Sequence, residues 1–171
     1  MSPVPEGHLA EPLLSADLSR NNVTALPIIV RKLRADRDIA AAFPLMRQLR
    51  DRLREETFLA EVRRQQVEGY RLFGLFDSDH LCALAGVRRS HTLSRGEHLF
   101  VDDLVTAEDL RGRGHGSEIL RWLGGYAREQ GISRIYLDSR ITAKGFYEKL
   151  GFRFNTSIPC GIEIEELLGE G

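Results

Sequence analysis

Arg111-Gly112-Arg113-Gly114-His115-Gly116-Ser117 separates an apolar run ending at Thr106 from Ser117–Gln130, where Ile119, Leu120, Leu123 and Ala127 recur at i, i+1, i+4 and i+8. That spacing predicts a helix, ended by Gly131. A glycine loop between a strand and a helix lets several backbone N–H groups point at one anion without obstruction from a Cβ atom. The helix dipole adds partial positive charge, and Arg111 and Arg113 add more, which suits a diphosphate better than a carboxylate. The bland alternative is a flexible connector capped by Ser117. Two other phosphate-binding patterns fit less well. In a dinucleotide fingerprint the ribose acid would be Asp138, which ends the next strand 22 residues after Gly116. However, Ala107–Arg111 stands between strand and glycines, the spacing is GxGxG, and only 33 residues follow Asp138, too few for a second mononucleotide half. A P-loop needs a Lys before Ser117, and that position is Gly116.

Working outward, Glu97–Thr106 is one apolar run, and Tyr70–Phe76 and Leu81–Val87 flank the turn Asp77-Ser78-Asp79 as a predicted antiparallel hairpin. Ile28-Ile29-Val30 begins an earlier strand. Between them Asp36 or Asp38 caps a predicted helix bearing Phe43, Met46, Leu49 and Leu53, its regular start delayed by Pro44. Thr57 opens a second helix, with Phe58, Leu59 and Val62 inward, that ends at Gly69. Beyond the glycine loop, Ile132–Asp138 reads as a strand and Thr142–Leu150 as a short helix stopped by Gly151. Phe152–Ile158 and Ile162–Ile164 read as a closing pair of strands. This order predicts an α/β fold, a mixed central sheet flanked by helices.

With 171 residues, 42% of them hydrophobic, the chain fits one domain that needs no disulfide or metal staple. Lys and Arg total 24 against 25 Asp and Glu, a net charge of -1, which argues against nucleic acid or an anionic membrane as partner. Cys82 and Cys160 form no CxxC pair and suit a reducing compartment. No segment approaches the roughly 20 apolar residues of a membrane helix. The first 27 residues, with Pro3, Pro5, Pro12 and Pro27, contain no secretory apolar run. The expectation is a cytoplasmic protein with a flexible tail over 1–27, one domain over 28–166 and a C-terminal end at 167–171.

Arg111, Gly114 and Gly116 match the signature of the GNAT superfamily of N-acetyltransferases: Arg or Gln, two residues, Gly, one residue, then Gly or Ala. Ala143-Lys144-Gly145-Phe146-Tyr147-Glu148-Lys149-Leu150-Gly151-Phe152 is similar to that family's second motif, one βα unit later. The chain resembles the family over roughly Ile28 to Glu166. The resemblance implies a single-domain acyl-CoA N-acyltransferase fold, with acetyl-CoA as cosubstrate in a cleft where the strands containing Leu104 and Leu137 splay apart. It implies that main-chain groups of Leu104, Val105 and Thr106 meet the acetyl and pantetheine portion. Arg111, Gly112, Arg113, Gly114, His115, Gly116 and Ser117 would cradle the diphosphate, with Gly114 and Gly116 where a side chain would most obstruct it. Tyr147 matches the tyrosine that protonates the departing thiolate. A phenol near pKa 10 keeps its proton at neutral pH, and a thiol near 8.5 leaves more readily with one. In isolation Tyr147 would read as a buried aromatic beside Phe146.

Within the superfamily, Val101-Asp102-Asp103-Leu104 and the glycine loop are similar to diamine acetyltransferases, which places Asp102 at the substrate, attracting an ammonium group and helping to remove its proton. Adjacent strand residues point to opposite faces, so Asp103 is expected to turn away and pair with a helix or loop donor. One departure is Arg140, seven residues before Tyr147, where many relatives carry Asn. His80, His91, His98 and His115 lack metal-ligand spacing, and no metal is assigned. Arg47, Arg50, Arg52 and Arg54, interleaved with Asp51, Glu55 and Glu56, read as a solvated helical face. The expected function is direct transfer from acetyl-CoA to a primary amine, of a small molecule or a polyamine, by an enzyme that forms a homodimer. An anionic amine such as an amino acid and a protein N-terminus are other acceptors. The competing classes are a catalytically silent acyl-CoA sensor and, below it, a nucleotide-dependent Rossmann-like enzyme.

Overall fold

The computed structural model describes residues 28–157 and 159–169. The tail expected over 1–27 lies outside them. Five strands form one mixed sheet in the order β1-β2-β3-β4-β5: β1 (Ile28–Lys32), β2 (Arg71–Asp77), β3 (His80–Thr92), β4 (Gly96–Thr106) and β5 (Ile135–Leu137). The first four are antiparallel, and β5 joins β4 in parallel. A parallel neighbour needs a crossover, which α4 (His115–Glu129) supplies.

One sheet face is covered by α1 (Asp36–Ala41), α2 (Phe43–Arg47) and α3 (Glu55–Val67), whose Ile39, Phe43, Met46, Phe58 and Val62 pack on Leu72, Leu84 and Val105. The other is covered by α4 and the short α5 (Lys144–Lys149), whose Ile119, Leu123 and Tyr147 pack on Leu75, Ala85 and Val101. The single helix expected through Phe43 and Leu53 is two helices that meet at Ala42. Pro44 stands in the first turn of α2, where its missing N–H is harmless, whereas within one continuous helix it would remove a backbone bond. Leu49 and Leu53 therefore lie in the connection to α3. At the end of α3, Gly69 takes φ 92°, which turns the chain so that Tyr70 N bonds Gln65 O and Tyr70 lies over the sheet.

The expected closing strands are corrected. Over the described part of Phe152–Ile158 there is no strand; Ile158 itself lies outside the described residues. Phe152 is used otherwise: Gly151 takes φ 84°, Phe152 N bonds Tyr147 O, and the Phe152 ring meets Tyr147 edge-on at 5.4 Å. Ile164 opens α6 (Ile164–Leu168), because Ile164, Leu167 and Leu168 have helical spacing and Glu165 and Glu166 fall in its first turn.

A β-bulge in β4 decides where the site residues point. Val87 pairs with Val101 and Gly86 with Asp103, which leaves Asp102 as the extra residue. In a regular strand Val101 and Val105 would share a face. Here Val101 packs with α4 and Val105 with α1–α3, because the inserted residue reverses the alternation.

Candidate active site

β4 and β5 stay paired only from Leu99–Ile135 to Val101–Leu137. Beyond Val101, β4 continues to Thr106 against β3 alone, so the other edge of this half-strand faces a gap. Ala107 N bonds Cys82 O at 2.9 Å across β3. By alternation the main chain of Val105 also faces β3, and the groups of Leu104 and Thr106 face the gap. A cavity of about 440 Å³ opens there, lined by Leu104, Thr106, Phe146 and Tyr147, and by Arg111, Gly112, Gly114, His115, Gly116 and Ser117 of the glycine loop. Val105 and Arg113, expected in this set, are outside its lining: Val105 is buried in the opposite core.

The loop has the conformation its glycines predict. Gly112 (φ 81°) and Gly114 (φ 93°) are left-handed, and Gly114 forms the N-terminal boundary of α4. A Cβ on Gly116 would stand 3.2 Å from Thr106 Oγ1 and 3.3 Å from Phe146 Cζ, closing space that the cavity needs. His115 is buried with its Nδ1 unpartnered among the described residues. A fifteen-residue helix thus presents its N-terminus to an open cavity beside Arg111. These are the requirements of a diphosphate-bearing ligand such as acetyl-CoA. Tyr147 is 8% exposed, its ring held edge-on by Phe146 at 5.0 Å and by Phe152. Burial pushes its phenol above the ordinary 10.0, so it carries its proton at neutral pH.

On the opposite face of β4, the bulge overturns the expectation that Asp102 and Asp103 point apart. Both turn toward α3, and one network holds both. Asp103 Oδ2 accepts from Tyr70 Oη at 2.8 Å and Asp103 Oδ1 from Arg50 Nε at 2.8 Å, while Arg50 Nη2 donates to the Asp102 carbonyl at 2.8 Å. Asp102 Oδ2 accepts from Arg88 Nε at 2.8 Å, and Arg88 Nη2 donates to Gln65 Oε1 at 2.9 Å. Burial raises the Asp102 carboxyl above 3.8, against the opposing pull of Arg88. Burial first, then the Asp103 charge and bond, push the Tyr70 phenol well above 10.0.

A second cavity, of about 470 Å³, lies here between β4 and the α2–α3 segment. Asp103, Tyr70, Gln65 and Arg50 line it; Asp102, expected at the substrate, does not. Arg140 reaches it as well, donating from Nη2 to the Leu49 carbonyl at 3.0 Å. The two cavities border one gap. Asp103 and Leu104 are consecutive on β4, and Arg140 of one wall stands three residues before Ala143 of the other.

Sequence reasoning missed Arg50, which reads as part of a solvated face, together with Tyr70, Gln65 and Arg88. Gly86 was the available signal, since a glycine inside an apolar strand marks a bulge or a close approach. A Cβ there would stand 1.9 Å from Tyr70 Oη and 2.4 Å from Cζ, so only glycine lets the phenol cross the sheet to Asp103. Among the described residues no group of three or more His, Cys, Asp or Glu converges as a metal site, and no helix is long and apolar enough to cross a membrane.

Comparison with known proteins agrees with this geometry. The uncharacterized N-acetyltransferase YhdJ of Bacillus subtilis is 33% identical over 130 residues, covering 73% of this chain and 92% of the relative. Among solved structures, glucosamine-6-phosphate N-acetyltransferase from Arabidopsis thaliana superposes with a TM-score of 0.63 at 22% identity, over 81% of this chain and 99% of its own. A predicted acetyltransferase from Clostridium acetobutylicum with acetyl-CoA superposes with a TM-score of 0.64 at 18% identity, over 82% and 98%. The acetyltransferase (GNAT) family model matches residues 37–152, from the first helix through the second motif, and the chain accordingly belongs to that family of acetyl-CoA-dependent N-acetyltransferases.

Proposed function

We propose that this chain transfers the acetyl group of acetyl-CoA directly to a primary amine of a small molecule, with Tyr147 as general acid. The observation that carries this reading is the pair of cavities on opposite faces of β4 that border one gap, one suited to a diphosphate and one to an amine. Acetyl-CoA supplies the thioester. The amine nitrogen forms the bond to the acetyl carbon, the carbon–sulfur bond breaks, and Tyr147 gives its proton to the sulfur. The N–H groups at the free edge of Leu104 and Thr106 polarise the carbonyl. Asp103 faces the amine cavity and takes the proton released by nitrogen, directly or through water. Asp102 acts through Arg88 as a positioning residue. With its charge committed there, the carboxylate that faces the amine cavity from β4 is that of Asp103.

Thermal unfolding with acetyl-CoA, CoA, NADH and ATP in parallel tests the cofactor, since a ligand at about 100 times its dissociation constant adds roughly 2.7 kcal/mol. The expected result is stabilisation by acetyl-CoA and CoA alone, followed by thiol release on addition of an amine. Stabilisation by NADH or ATP instead would overturn the reading of Arg111–Ser117. Acetyl-CoA binding with no thiol release across a broad amine panel would identify a sensor.

A further inference from the structure

We infer that the acceptor is an α-amino acid with an apolar side chain, and that Arg140 selects it by its carboxylate. This rests on the transfer reading above and narrows it. Met46, Leu49, Leu53, Phe58 and Val62 line the acceptor cavity. Met46, Phe58 and Val62 are already buried, and the partly exposed Leu49 and Leu53 are what an apolar body gains by covering. A polyamine would instead place ammonium groups against those side chains, in a cavity where the carboxylates Asp51, Glu61 and Asp103 are matched in number by Arg50, Arg52 and Arg140.

Of the three lining arginines, only Arg50 has a carboxylate within ion-pair reach among the described residues, Asp103 at 2.8 Å; Glu61 pairs with Arg64 outside the lining, and Arg52 and Asp51 form no ion pair. Arg140 likewise has no carboxylate within ion-pair reach among the described residues; its side chain donates to the neutral Leu49 carbonyl. A guanidinium carries five N–H donors in a planar fork, so most remain for a carboxylate.

Position then relates the carboxylate to the amine. Arg140 precedes the 3₁₀ turn Ile141–Ala143, which leads into α5 and its Tyr147, so it stands where the acceptor cavity meets the gap. In an α-amino acid one carbon separates amine from carboxylate. A carboxylate held by Arg140 keeps the amine at the gap with Asp103 and directs the side chain outward along Leu49, Leu53 and Phe58.

The test compares L-phenylalanine, L-phenylalaninamide, phenethylamine and spermidine as acceptors, by initial rates of thiol release at saturating acetyl-CoA. The expected kcat/KM for phenylalanine exceeds that of the amide and of phenethylamine by about tenfold or more, mainly through KM, because only the free acid gives Arg140 a charged partner. Spermidine is expected to be slower still. In Arg140→Gln the preference of acid over amide collapses toward unity, again through KM, and Arg140→Lys keeps part of it. Stabilisation by acetyl-CoA shows that each variant is folded; were the Gln variant unstable, the wild-type ranking and the Lys variant decide. An amide, phenethylamine or spermidine used as well as phenylalanine, or a preference that persists in Arg140→Gln, overturns the inference while leaving the enzyme reading in place. No thiol release from any of the four overturns the inference alone; only the same result across the broad amine panel overturns the transfer reading with it.

Discussion

Substituting Gly86 by Ala tests whether a single missing side chain holds the acceptor side together. The added methyl would meet Tyr70 Oη at 1.9 Å and Cζ at 2.4 Å, far inside contact distance. The rigid ring, 3% exposed and part of the α1–α3 core, cannot swing aside without leaving that core and its bond to Asp103. Overpacking costs about 1–3 kcal/mol, and losing a hydrogen bond to a charged group about 1.5–3 kcal/mol. Together these come to about 2.5–6 kcal/mol, a large part of the roughly 5–15 kcal/mol that a domain possesses. With a urea slope of about 2 kcal/mol per M, the unfolding midpoint falls by about 1–3 M. A double-mutant cycle locates the cause: in a Tyr70→Ala background the ring is absent, and Gly86→Ala should then change little. An equal cost in both backgrounds, or a midpoint within experimental error of wild type, would refute the close fit. Stabilisation by acetyl-CoA should survive in whatever fraction of the Gly86→Ala protein folds, since the loop that lines the other cavity is not involved.

Tyr147→Phe should lower turnover by about 10²–10⁴ with acetyl-CoA binding retained, as measured by steady-state rates beside thermal shift; undiminished turnover removes the phenol from the reaction. Because burial raises that phenol above 10.0, any alkaline decline of wild-type kcat due to Tyr147 should lie at higher pH than for a free phenol, as a pH–rate profile would read. Gly116→Ala should weaken acetyl-CoA by about tenfold or more, read by isothermal titration, as its methyl would crowd Thr106 and Phe146 inside the cavity. The Asp102 carboxyl is raised above 3.8 in the native state, which therefore holds a proton that the unfolded chain has released. Its contribution to stability is fully present below about 3.9 and is lost as pH rises through the native value. Subtracting the urea stability of Asp102→Asn from that of wild type between pH 3 and 6 isolates this term, which should fall with pH; a rise would reverse the assignment.

The glycine-loop cavity was legible in the sequence because its determinants are local and carried by the backbone. Glycines that must adopt positive φ, at Gly112 and Gly114, stand beside a helix whose apolar stripe is unmistakable. The acceptor side was not, for two physical reasons. Its central pair joins Arg50 to Asp103 across 53 residues, and nothing in the local pattern of an Arg- and Asp-rich stretch distinguishes a side chain that crosses the cleft from one in water. The direction of Asp102 and Asp103 depends on a bulge, and a single extra residue reverses every inside–outside assignment after it. The same ambiguity misled at the C-terminus, where the apolar positions at Ile164, Leu167 and Leu168 form one turn of helix. At Ala42 the signal, Pro44, is present in the sequence but reads there as a delayed start of one helix, where the structure has a break between two.

The phase change in β4 has a consequence for how such a protein can diversify. Consecutive positions of one strand serve two clients: Asp103 looks into the layer built by α1–α3, and Leu104 into the layer built by α4 and α5. In the proposed reaction, side chains that discriminate acceptors belong to the first layer, whereas the second holds the donor through backbone groups and a helix end, with Tyr147 beside them. Exchanging residues in the first can therefore re-aim the chemistry at a new amine while the donor side is left as it was. Deleting one residue near Asp102 would exchange the two clients and disable both, so length is under far tighter constraint there than composition.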